Sequence, residues 1–145
     1  MALYGNMNIS QSGLAASRQR LEAASSNLAN AETAASTPGA VYQPLRVVQS
    51  AQSQAEDLTQ PFSSGVPQGR GVLSQVTAMP GRVRAEFDPD HPDADDQGYV
   101  YYPDLDVTEE VSEMMAARRA YQIGLTAYGE AKQMFHSTLD ILRGA

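Results

Sequence analysis

Apolar positions along this 145-residue chain follow two rules, a seven-residue repeat at each end and a looser, partly alternating pattern between. Toward the C-terminus Val107, Met114, Tyr121, Tyr128, Phe135 and Leu142 recur without a miss, and near the start Met7, Leu14, Leu21 and Leu28 do the same. A sustained period of 3.5 is the pattern of helices that pack lengthwise against other helices. A chain with such helices at both ends is expected to be an assembly subunit rather than an enzyme.

The first helix is expected over about residues 8–31, after a flexible tip at 1–6. Three positions on from its stripe stand the small residues Ser10, Ser17, Ala24 and Ala31, which let a partner helix approach closely. Gly13 is a weak point, since glycine in a helix interior costs about 1 kcal/mol against alanine. Asn27 and Asn30 suit helix termination, or alternatively the fixing of register against a neighbouring helix. The Pro38-Gly39 step ends this region. The second helix begins at the N-cap Asp106 with Glu109 three residues on, a capping-box pattern, and runs to about Arg143. Glu109, Glu110 and Glu113 complement its positive dipole end. Its 37 residues span roughly 55 Å. Val111, Arg118, Leu125, Lys132 and Leu139 lie four residues after stripe positions and flank the seam.

Between the helices, Tyr42–Val48 reads as a strand, and 49–70, rich in Gln, Ser and Gly, as a mobile loop. Val72, Ser74, Val76 and Ala78 share one face of a strand. Val83, Ala85 and Phe87 share one face of another, with Arg82, Arg84 and Glu86 opposite. Tyr99–Tyr102 is a short strand. The expected fold is α+β: terminal helices at 1–33 and 106–145 paired as a coiled coil, and a small β-rich domain over 34–105.

The net charge of −7 lies entirely in residues 50–106, where three arginines face ten acids; the two helical ends are close to neutral. Near-neutral ends suit association, and the absence of a basic stripe speaks against nucleic acid. No apolar run approaches the roughly 18–20 residues of a membrane span. The start, Met1-Ala2-Leu3-Tyr4-Gly5-Asn6, lacks the basic and apolar regions of a cleaved signal. The chain has no cysteine, which excludes disulfides, thiolate metal sites and cysteine nucleophiles.

Candidate chemistry is sparse. Asp88-Pro89-Asp90-His91-Pro92-Asp93-Ala94-Asp95-Asp96 gathers five carboxylates and one imidazole, but its spacing is not that of an EF-hand loop, and a structured acidic turn is the expected role ahead of weak cation binding. The chain's two histidines, His91 and His136, do not make a nucleophilic triad. Gly69-Arg70-Gly71 lacks the Lys-Ser/Thr of a phosphate loop. No catalytic, cofactor or metal residue is therefore assigned.

Ser12-Gly13-Leu14-Ala15-Ala16-Ser17-Arg18-Gln19-Arg20-Leu21, followed by Ser26-Asn27-Leu28-Ala29-Asn30-Ala31-Glu32-Thr33, resembles the N-terminal signature of bacterial flagellar rod, hook and filament-junction proteins. Tyr42, the 88–96 block with Phe87 and Gly98-Tyr99-Val100, Ala117-Arg118-Arg119-Ala120-Tyr121 and Ala131-Lys132-Gln133-Met134 are similar to the proximal-rod members of that group. The chain departs from the group's usual asparagines at Asp104, Asp106 and Gly124. The resemblance implies a structural subunit of the basal-body rod, exported without a cleaved signal by the flagellar type III apparatus. It also implies helical assembly in the periplasmic space, to transmit torque from motor to hook. Implied partners are copies of itself, other rod proteins, membrane-ring and rod-base adaptor proteins and the export apparatus. The expected assembly interface comprises Met7, Leu14, Leu21, Asn27, Leu28 and Asn30 on the first helix, with Val107, Val111, Met114, Arg118, Tyr121, Leu125, Tyr128, Phe135, Leu139 and Leu142 on the second. A soluble coiled-coil adaptor or export chaperone is the alternative.

Overall fold

The computed structural model describes the backbone of residues 2–51 and 71–143, and side chains from 7 to 51 and from 71 to 141. Most of the expected loop at 49–70, and the side chain of Leu142, lie outside the described residues. Two helices and four strands follow in the order α1 (Ala2–Ala29), β1 (Leu45–Ala51), β2 (Val72–Ala78), β3 (Val83–Phe87), β4 (Tyr99–Pro103) and α2 (Val107–Arg143), with a short 3-10 turn at Pro38–Ala40. The architecture is α+β, as the hydrophobic pattern predicts.

Three boundaries differ from expectation. Helix α1 begins at Ala2, so residues 2–6 are helical and not a flexible tip, and it runs unbroken through Gly13. A Cβ at Gly13 would meet nothing within 4 Å, so the position faces open space and the glycine imposes no kink. Strand β1 starts at Leu45 rather than Tyr42 and continues through Ala51, because its backbone pairs in register with β2 as far as Ala51 opposite Val72. Alternation alone does not reveal that pairing, since Gln49, Ser50 and Ala51 carry no apolar signal.

The two helices pack against each other in antiparallel fashion: Leu14 lies against Gly124, Arg20 pairs with Glu113, and Asn27 bonds to Glu110. A Cβ at Gly124 would sit 3.1 Å from Leu14 Cδ2, so the missing side chain there is what lets the leucine in. Helix α2 is capped by Asp106, whose Oδ1 accepts from Thr108 N at 2.8 Å and Glu109 N at 3.3 Å.

The strands form two separate antiparallel pairs, β1–β2 and β3–β4. Both β1 and β2 pack along α1, and Ser12 Oγ accepts from Val72 N at 2.9 Å to seat the start of β2 on the helix. Phe87 meets Tyr99 edge-on across β3–β4, with ring centroids 5.3 Å apart. Backbone bonds between Ala35 and Tyr101 tie β4 to the segment after α1.

Among the described residues the buried apolar side chains that form the core are Ala16, Ala23, Ala24, Ala31, Ala35, Val41, Val100 and Ala117. Alanine methyls bury little area, and each buried carbon contributes only about 0.8 kcal/mol. Strand β3, the most regular strand by alternation, is exposed at every position. The chain alone therefore closes around a thin, alanine-lined seam and leaves many of its large apolar side chains exposed, Ile123, Met134 and Ile141 among them.

The β3–β4 turn depends on Gly98, which holds φ at +81° with Phe87 and Pro89 packed against its Cα side at 3.0 and 3.2 Å from where a Cβ would stand. Gly98→Ala is expected to cost about 1–2 kcal/mol, read as a lowered urea midpoint with unchanged slope; a midpoint equal to the natural chain's would show that the turn relaxes freely.

Candidate functional site

A buried polar clasp stands where α1, β1 and α2 meet. Asn27 is fully buried, and its amide uses its whole bonding capacity. Nδ2 donates to Leu45 O at 2.9 Å and to Glu110 Oε2 at 3.0 Å; Oδ1 accepts from Leu45 N at 2.8 Å and from Tyr42 Oη at 3.1 Å. The side chain thus acts as a strand partner to the first residue of β1 while holding the second helix. Tyr42 also bonds Ser26 at 3.1 Å.

Glu110 is 1% exposed and carries the clasp's negative charge. Arg46 Nη1, from β1, reaches its Oε1 at 2.5 Å, so one carboxylate is shared between an arginine and an asparagine from two other elements. A turn further along the pair, Arg20 Nε and Nη2 both lie 2.7 Å from Glu113 Oε1. These four charges line a cleft of about 520 Å³ together with Glu109, Leu45 and Val47. Both arginines of the cleft are paired with its carboxylates, so the cleft ties β1 and the two helices together.

The acidic turn is organised by one of its five aspartates. Asp95 Oδ1 accepts from Gln97 N at 2.8 Å and Tyr99 N at 2.9 Å, and Oδ2 from Tyr101 Oη at 2.9 Å. The Tyr99 amide above all, with Tyr101 and other backbone amides, holds the Asp95 carboxyl below its usual range. The same bond to Asp95 raises Tyr101. Among the described residues no cluster of three or more His, Cys, Asp or Glu side chains is placed to hold a metal ion, and no helix is long and apolar enough to cross a membrane.

Comparison with known proteins places this architecture. Residues 7–40, which contain most of α1 and the clasp's Asn27, match the family described as flagella basal body rod protein. The flagellar basal-body rod protein FlgC of Borreliella burgdorferi is 32% identical over 153 aligned positions, covering 99% of this chain and 100% of that protein. The chain belongs to the flagellar basal-body rod protein family. FlgC of Bacillus subtilis is 32% identical over 97% of the chain and 99% of that relative, and FlgC of Salmonella typhimurium 33% over 97% and 98%.

Within this rod-family chain the structure distributes the expected interface residues unevenly. Met7, Leu14, Leu21 and Leu28 on α1 are half-buried, as are Val111, Met114, Tyr121, Tyr128, Phe135 and Leu139 on α2. Asn27 joins the clasp, whereas Asn30 bonds locally to Ser26 O at 2.8 Å, the helix-terminating role. Val107, Arg118 and Leu125 are exposed, Leu125 by 53%. Within the single chain the helix pair closes at Ala117, which is fully buried, and at Gly124, against which Leu14 packs, each three residues after the stripe. Small residues at these positions carry little apolar signal, so the flanking set four residues on reads more strongly in sequence. Arg20, Arg46, Glu110 and Glu113 are the clasp residues that periodicity does not assign. The glutamates at the start of α2 read as dipole partners, and nothing local marks the arginines they meet.

Removing Arg46 strands a buried carboxylate, and removing Asn27 strands Glu110 together with the Leu45 backbone. Each of Arg46→Ala and Asn27→Leu is expected to cost about 3 kcal/mol by urea unfolding, against no resolvable change for Arg18→Ala, whose partner Glu22 is an exposed neighbour on the same helix. Equal costs for Arg46→Ala and Arg18→Ala would refute the clasp's structural weight. The lowered Asp95 carboxyl stabilises the acidic turn above the ordinary aspartate range, and that contribution is lost as pH falls through its folded value. The protection factor of the Tyr99 amide should fall on acidification through that window, and Asp95→Asn should abolish this dependence.

Proposed function

We propose that the chain is a structural subunit of the proximal rod, exported without a cleaved signal and assembled helically in the periplasmic space, where it transmits torque between motor and hook. Family membership over nearly the whole length supports the rod role. The observation that carries the mechanism is the mismatch between core and surface. The buried core is largely alanine, while Ile123, Leu125, Met134 and Ile141 on α2 are 71%, 53%, 63% and 73% exposed. Apolar side chains along a helix of 37 residues become buried only when another helix lies beside it.

In this reading α1 and α2 form a coiled-coil layer that pairs with helices of adjacent copies and other rod proteins, and the strands between them face outward. Head-to-tail contacts that do not close produce a tube. Membrane-ring and rod-base adaptor proteins and the export apparatus are the remaining partners. The assembly surface is the set of helix positions Met7, Leu14, Leu21 and Leu28 with Val107, Val111, Met114, Arg118, Tyr121, Leu125, Tyr128, Phe135, Leu139 and Leu142, and Asn27, through its bonds to β1 and α2, fixes the register of the pair.

Deletion of the gene in its source bacterium should remove rods and swimming, and the natural gene should restore both. Leu21→Asp or Tyr121→Asp should restore neither, with the variant chain still made but missing from isolated basal bodies. Complete rods in the deletion strain would instead favour the adaptor or chaperone reading.

A further inference from the structure

Helix α2 carries apolar rows besides the one that meets α1. Ala120, Ala127, Met134 and Ile141 recur every seven residues beside Ile123 and Glu130, and form one flank of the helix. Roughly opposite, across the row that touches α1, Leu125, Gly129 and Lys132 form another. The large side chains of both flanks are exposed, and a Cβ at Gly129 would meet nothing within 4 Å. Glu130 and Lys132 are exposed, and no ion pair among the described residues ties either.

The two flanks complement each other. One is apolar with an acid, the other apolar with a base. Ile123 precedes Glu130 by seven residues, and Leu125 precedes Lys132 by the same seven. A helix laid parallel beside its copy, shifted by two residues or about 3 Å, sets Ile123 against Leu125 and Glu130 against Lys132 together. Gly129 leaves room for the close approach. Because the flanks differ, the contact is heterologous and repeats from copy to copy.

We propose that consecutive copies of this chain pack α2 against α2, parallel, through the Ile123–Glu130 flank of one and the Leu125–Lys132 flank of the next. This rests on the rod reading and names the partner of one of its surfaces as a second copy.

The absence of cysteine in the natural chain gives a clean test. A strain expressing the chain with Ile123→Cys and Leu125→Cys as its sole copy provides basal bodies, which are oxidised and run without reductant. The two thiols sit on nearly opposite sides of one helix and cannot bridge within a chain. The expected result is a ladder of disulfide-linked multimers of this chain, with each single-cysteine variant giving none. Glu130→Lys and Lys132→Glu should each lower incorporation into basal bodies, and the double variant should restore it. A chain present in basal bodies without a ladder, or linked to a different protein, overturns the flank pairing. A chain absent from basal bodies even in its natural form overturns the rod reading beneath it.

Discussion

One side-chain amide holds this fold together. Asn27 spends both donors and both acceptor sites on partners from three places: the Leu45 backbone of β1, the Tyr42 hydroxyl, and the Glu110 carboxylate of α2. A buried amide that makes all four bonds fixes direction and register at once, because any sliding of helix or strand leaves a polar group unpaired in a dry place. Arg46 completes the joint by neutralising Glu110 from the strand side. From this point α1 and α2 run antiparallel, and β1 starts at it.

The clasp matters more here because hydrophobic burial contributes so little. An alanine seam permits close helices, but it does not by itself specify which turn of α1 faces which turn of α2. Polar partners at Asn27–Glu110 and Arg20–Glu113 supply that specification. The division of labour is physical: directional bonds set the geometry of the single chain, and many of the large apolar side chains stay exposed.

Much of this was legible beforehand, for identifiable reasons. Both helices announced themselves by period, α2 by its Asp106 cap, β2 and β3 by alternation between turn signals, and β4 as a short run after the polar 88–98 loop. The residue pattern around Asn27 and the 88–96 block pointed to the rod family. Period and propensity are local, however, and the missing pieces are not. The ladder that extends β1 to Ala51 depends on β2, more than twenty residues away. The Arg46–Glu110 pair spans 64 residues, and no window over the sequence contains both. The seam through Ala117 and Gly124 was invisible because small residues mark close packing only once the partner is in place. Gly124 gains its meaning from Leu14 alone.

The clasp also sets an order in time. Its members come from positions 27, 42, 45, 46 and 110, so the joint closes a loop of more than eighty residues. Contacts so distant along the chain form late, after the entropy of bringing them together has been overcome. A polypeptide emerging N-terminal end first, from a ribosome or any narrow conduit, presents Asn27 long before Glu110 exists outside to receive it. During that interval α1 has neither its polar partner nor its alanine seam, and a helix of that kind is marginal by itself. Such a chain stays threadable until nearly its whole length has passed, and then locks.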